Sequence, residues 1–343
     1  MKISRKVGKL AAVVLAVGVG ASLMAGCSSS SEQATEVTEL TIYSGRSEEF
    51  IAPFFDQWQA ESGIKLNIRY GDSAELAAQI LEEGKNSPAD LFLSQDAGSL
   101  GAVSAAGLLK ALPDSVATQI ESQYIAGDRT WVGVTGRARV FAYRPGAVTT
   151  LPQSVADLTK PAYKDKVGIA PSNASFQAFV TALINAEGEA AAEKWLKGLK
   201  SNGVKIYAKN SGIVEAIDKG EIQIGLVNHY YIWEVSEGLG RAINVKNGFF
   251  APGDLGNLIN VSGAGVLASS KKYAAAEDLI NFLTSAASQA KFVSDTHEYS
   301  LISGAAAPAG VPALDQIGAP VVDLAALKNI KATQDLLIEV GLL

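Results

Sequence analysis

From Leu40 onward, hydrophobic positions alternate between two periods. Leu40 to Ser44 reads as a short strand with Gly45 at its exit. Glu49 to Ser62 sets Phe50, Phe54 and Trp58 at helical spacing, with Ile51 and Phe55 off that stripe and Gly63 as a stop. Ile64 to Tyr70 alternates apolar residues with Lys65, Asn67 and Arg69, a strand with one wet face. Asp72 or Ser73 caps a helix whose stripe is Leu76, Ile80 and Leu81 and whose end is Gly84. Asp90 to Ser94 reads as a buried strand, and Ser99 to Ala106 as a short helix closed by Gly107. Such alternation predicts α/β layering around a largely parallel sheet.

Trp131 to Tyr143 interrupts this rhythm with a long extended segment, stopped by Arg144-Pro145-Gly146. A second series follows. Strands are predicted at Val167 to Ala170, Val204 to Ala208 and Ile222 to Val227, and helices at Ser175 to Ala186, Glu189 to Leu199 and Gly212 to Lys219. Ser262 to Leu267 reads as a small-residue strand passing back beside Val140 to Tyr143, and Lys272 to Thr284 and Asp323 to Val340 as helices. Two α/β series joined by two extended crossings predict two lobes with a cleft between them, an arrangement suited to hinge closure. The first lobe is expected at 40–138 plus 262–300, the second at 139–261 plus 301–343.

The amino terminus has a different character. Lys2, Arg5, Lys6 and Lys9 precede an apolar run from Leu10 to Met24 and the small residues Ala25 and Gly26, the layout of a signal peptide over residues 1–26. Leu23-Met24-Ala25-Gly26-Cys27 looks like a bacterial lipobox, which implies cleavage before Cys27 and lipid attachment to it. Cys27 is the only cysteine, so no intramolecular disulfide forms. The polar stretch that follows reads as a flexible tether over residues 27–39. The expected location is the outer face of the cell membrane, held by the lipid.

Composition narrows the function. A chain of 343 residues with 48% hydrophobic and 19% charged residues is an ordinary globular protein, long enough for two cores. Its net charge is −6, and the leader carries four of its cations away, so nucleic-acid binding is not expected. With no basic amphipathic helix in view, membrane contact is expected through the lipid alone.

Asn228-His229-Tyr230-Tyr231 stands where the strand Ile222 to Val227 runs out, at the sheet edge where open α/β folds place ligands. A phenolate is a hard anionic donor suited to Fe(III), whose field would bring the phenol's pKa down. The pair also fits two half-buried amphipathic aromatics. Pro171-Ser172-Asn173-Ala174-Ser175 opens a helix and can serve as an anion site or as a plain N-cap. Enzyme chemistry has thin support. Only His229 and His297 are present, with His229 available as a base and His297 in a polar, solvated stretch, and neither a phosphate loop nor zinc spacing appears.

Six stretches carry a family resemblance: Leu40 to Gly45, Pro88 to Phe92, Gly136 to Val140, Trp195 to Lys200, Tyr207 to Ser211, and Asn228 to Tyr231. In order and spread over the mature chain, they resemble the periplasmic ferric-iron-binding proteins, receptors of bacterial iron ABC importers. The resemblance implies a two-lobed type II periplasmic-binding-protein fold with a hinge of two crossing strands. It implies no enzyme activity, a monomer, and an ABC importer permease as partner. Tyr230 and Tyr231 would ligate Fe(III) as cargo. Phosphate or carbonate would sit at Asn173, Ala174 and Ser175, supported by Asn210 and Asn228, with Arg137 or Arg139 neutralising charge.

Departures from the family pattern lie mostly in the first lobe. Ser47 and Gln95 stand where some relatives supply a histidine and a glutamate, and Phe176 stands where others supply a third tyrosine. Water, Asp96 or Glu48 would then complete the metal shell, or the ligands of a chelated iron would. The alternative is a receptor of the same fold for a small organic anion such as a phosphonate or sugar phosphate.

Overall fold

The computed structural model describes residues 37–343, so the signal peptide, Cys27 and most of the expected tether lie outside the described residues. Strands β1 (Glu39–Ser44), β2 (Lys65–Tyr70) and β3 (Leu91–Ser94) pair in parallel in the order β2-β1-β3, with helices α1 (Glu48–Ser62), α2 (Ser73–Glu83) and α3 (Ala97–Ala105) between and after them. On α1 the buried set is Ile51, Phe54, Phe55 and Trp58, while Phe50 is only half-buried. That set has i, i+3, i+4, i+7 spacing, so the two residues expected beside the stripe belong to it. Phe54 stacks on Phe292 with ring centroids 3.8 Å apart. Leu81, expected inward on α2, is instead 42% exposed.

The long segment is β4 (Val132–Tyr143), followed by β5 (Val167–Ile169), α4 (Ala174–Glu187), α5 (Glu189–Ser201), β6 (Lys205–Ile206), α6 (Asn210–Lys219) and β7 (Ile224–Asn228). Then come α7 (Tyr231–Gly238), β8 (Lys246–Gly248), β9 (Ile259–Val266), α8 (Tyr273–Leu283), α9 (Ala286–Asp295) and α10 (Ile330–Val340). The strand order is β2-β1-β3-β9-β4-β7-β5-β6, with β8 against β4.

The sheet is more mixed than the sequence pattern suggests, because β9 runs antiparallel to β3 and β4, and β4 antiparallel to β7 and β8. The expected partner of the small-residue strand needs correcting. β9 pairs with Val132 to Ala138, whereas Val140 to Tyr143 pair with β7 and with β8. One half of β4 thus belongs with β9 and the β1–β3 set, and the other half with β7. That division makes β4 and β9 the crossing strands of a two-lobed fold.

The expected final helix is broken at Asn329 into a 3₁₀ turn, Leu324–Lys328, and α10. The turn lies on α3, while α10 packs on α4 and α5. It also accepts a 3.0 Å hydrogen bond at the Ala326 carbonyl from Asn185 of α4. Glycine makes this approach feasible: a Cβ at Gly98 would stand 2.6 Å from the Leu327 carbonyl oxygen, and one at Gly101 3.0 Å from that of Ala325. Backbone cannot yield as a flexible side chain does. Gly98→Ala is therefore expected to cost about 1–3 kcal/mol through overpacking, read as a lower urea midpoint. No change in that midpoint would show that the turn is not held against α3.

Candidate functional site

Asn228 ends β7, His229 follows, and Tyr230 and Tyr231 open α7. The two phenol rings stack with centroids 4.5 Å apart and planes at 29°. They line a small cavity of about 60 Å³. Asn173, Ala174, Ser175 and Asn228 border it, and so do Gln95, Asp96 and Arg137. Asn260 completes the lining, a residue that no local motif of the sequence marks.

The helix opening is tightly knit. Asn173 caps α4, and its Oδ1 accepts from the Ser175 N–H at 3.0 Å, the Ser175 hydroxyl at 2.6 Å and the Asn210 amide at 3.1 Å. Ser175 Oγ accepts in turn from Asn210 Nδ2 at 3.2 Å and from Arg139 Nη1 at 3.0 Å. Asn210 and Arg139 thus stand behind the cavity and do not line it. Burial pulls the Arg139 guanidinium down to about 9, against the pull of Tyr231 and Tyr230, and it remains a cation at neutral pH. Phe176 is fully buried against Phe179 and Trp195, a core residue facing away from the cleft.

On the other side, Gln95 presents a buried Oε1 with no hydrogen-bond donor among the described residues. Asp96 caps α3, its carboxylate accepting from the Ser99 N–H at 2.8 Å and the Ser99 hydroxyl at 3.0 Å. Burial raises the Asp96 carboxyl, with Ser99 and Arg137 working against that rise. Ser47 and Glu48 are exposed at the start of α1 and do not border the cavity.

His229 is not placed as a base. Its Nδ1 accepts from the Ala138 N–H at 3.2 Å, which leaves Nε2–H to donate to the His297 carbonyl at 2.7 Å. Burial lowers its pKa to about 4, so it is a neutral tie between β4 and the segment after α9. His297, expected in solvent, is half-buried, stacks on Trp233 at 5.0 Å and meets Glu237 at 3.2 Å. Beside it lies a buried ion pair that the sequence did not reveal. Arg46 donates to both oxygens of Glu298, at 2.7 and 2.6 Å, with Arg137 Nε 4.0 Å from the same carboxylate.

The electrostatics bear on what the phenols can do. Burial lifts the Tyr231 phenol well above its ordinary value, and Tyr230 adds to the rise, while the Asn210 amide opposes it. Ionising Tyr231 is favoured by a cation at its oxygen. No cluster of three or more His, Cys, Asp or Glu side chains among the described residues is disposed to hold a metal.

A family described as bacterial extracellular solute-binding protein matches residues 86–329. A curated relative, the Fe(3+)-binding periplasmic protein of Serratia marcescens, is 35% identical over 308 residues, covering 89% of this chain and 90% of the relative. The chain belongs to this solute-binding family. The ferric-iron-binding proteins that the sequence resembles are its relatives in fact. Iron-bound HitA from Pseudomonas aeruginosa superposes on this solute-binding protein with a TM-score of 0.82 at 32% identity, covering 89% of this chain and 99% of that one. The Trichodesmium protein IdiA (FutA), in complex with iron and citrate, gives a TM-score of 0.77 at 26% identity, covering 88% and 99%.

Proposed function

We propose that this protein captures Fe(III) with a small oxyanion in the cavity and delivers it to an ABC importer from the outer face of the cell membrane. The observation that carries this reading is the stacked phenol pair, in one cavity with unpaired hydrogen-bond donors. Tyr230 and Tyr231 supply the anionic ligands, and relatives named for Fe(3+) binding support iron as the cargo. Phosphate or carbonate spans the helix opening at Asn173, Ala174 and Ser175, with Asn228 and Arg137 beside it and Asn210 and Arg139 behind.

Two phenolates and a bidentate oxyanion fill about four of the roughly six positions of an octahedral ion. Gln95 Oε1 and water, or oxygens brought by a chelator, complete the rest, since Asp96 is occupied at its cap. Lipid on Cys27 provides the anchor, and among the described residues no helix is long and apolar enough to cross a membrane. A cavity of about 60 Å³ suits an ion with a small oxyanion better than a sugar phosphate.

The test is iron retention. Metal-free protein is equilibrated with ferric citrate in phosphate or bicarbonate, desalted, and assayed for iron. A single ferric ion per chain is expected, and protein that emerges iron-free under both anions would overturn the proposal.

A further inference from the structure

Arg137 of β4 and Asn260 of β9 are directly opposed in the crossing-strand register, and both border the cavity. They are 3% and 7% exposed. Yet Arg137 Nε and Nη2 and Asn260 Nδ2 have no hydrogen-bond acceptor among the described residues. Glu298, the carboxylate beside Arg137, is held on both oxygens by Arg46 and lies 4.0 Å away.

The orientation of the Asn260 amide follows from its other end. Oδ1 accepts from the Val261 N–H at 2.8 Å and, more loosely, from the Ala97 N–H at 3.5 Å. Flipping the amide would set its NH2 against two N–H donors, so Nδ2 is fixed as a donor. A buried donor without an acceptor is costly, and a guanidinium in the same state more so. Charge-assisted bonds from both to an anionic oxygen would remove that cost. At the helix opening, by contrast, the side chains of Asn173, Ser175 and Asn210 bond mainly to one another.

We propose that Asn260, paired with Arg137 across the two crossing strands, is an oxyanion-binding subsite that the cargo's phosphate or carbonate occupies. This rests on the proposed iron-and-anion function and deepens it. The anion then sits on the strands that join the lobes as well as on the α4 opening, and Asn260 sets the requirement for an acceptor oxygen. An Asn260 hydrogen bond to a charged oxygen corresponds to about tenfold or more in anion affinity.

Asn260→Asp is the informative variant, because its carboxylate keeps an acceptor for Val261 and Ala97 while the donor is lost. At saturating Fe(III), the phosphate concentration that half-develops the visible iron–tyrosinate band is expected to rise at least about tenfold. In metal-free protein, phosphate is expected to raise the melting temperature of wild type and much less that of the variant. An unchanged phosphate requirement together with unchanged phosphate stabilisation overturns the subsite. Wild type stabilised by phosphate through Asn260, but without a visible band, would sink the iron reading and leave the subsite standing. If Asn260→Asp does not fold, Arg137→Gln takes its place under the same two readouts and the same expectations.

Discussion

Tyr230→Phe or Tyr231→Phe is expected to weaken Fe(III) binding far beyond the ~10- to 100-fold that loss of a supporting group around a metal costs. Each substitution removes one oxygen and leaves the ring. The stacked contact at 4.5 Å survives, so the melting temperature of metal-free protein should scarcely move. The affinity falls because nothing nearby replaces the lost donor: Asp96 is bonded to Ser99, His229 is committed at both nitrogens, and Phe176 is buried in the core. Competition against citrate, followed by iron analysis of the protein fraction, measures the loss. Wild-type affinity in either variant would mean that the phenol concerned is not a ligand.

Glu298→Gln is expected to destabilise the fold by about 3–5 kcal/mol, the usual effect of breaking a buried ion pair from one side. Arg46 would remain buried with its charge uncompensated, and Arg137, 4.0 Å from the same carboxylate, would lose its nearest anion. The hydroxyls of Thr135 and Thr296, which donate to Glu298 at 3.2 and 3.1 Å, bind a neutral amide less well. Acidity should show the same linkage. Burial raises the Glu298 carboxyl, but Arg46, with Arg137 and Thr296, outweighs it and holds the pKa below the ordinary glutamate value. An unfolded chain therefore takes up this proton before the folded one does. The stabilisation is present above the unfolded pKa, about 4.3, and is lost as pH falls through the lower folded value. Urea denaturation from pH 7 down to pH 3 should show a steeper acid loss for wild type than for Glu298→Gln. A variant within about 1 kcal/mol of wild type at neutral pH would show the pair to be dispensable.

Much of the fold was legible because burial imposes a period. β1, β2 and β3 and the helices from α1 to α6 lie close to where the hydrophobic spacing set them. The partner of β9 was not legible, since Ser262-Gly263-Ala264-Gly265 has no bulky side chains whose alternation would fix a register. Helix α7 escaped notice because only Val235 of its residues is buried, leaving no apolar stripe. Within the site, Tyr230, Tyr231 and the Asn173 to Ser175 turn could be found from short contiguous motifs, and the fold brings them to one cavity. Asn260 could not, because its role depends on its position opposite Arg137 and on what its Oδ1 contacts. Arg46 and Glu298 are 252 residues apart, and no local pattern links two charges at that distance. In a sequence, a buried glutamate next to Thr296 and His297 looks the same as a solvated one.

The most direct measurement is the visible absorption spectrum of the protein titrated with ferric citrate in phosphate and in bicarbonate. Tyrosinate ligation predicts a broad charge-transfer band in wild type that is absent from the Tyr230→Phe/Tyr231→Phe double variant. Wild-type protein that retains iron yet stays colourless in both anions would contradict the phenols as ligands.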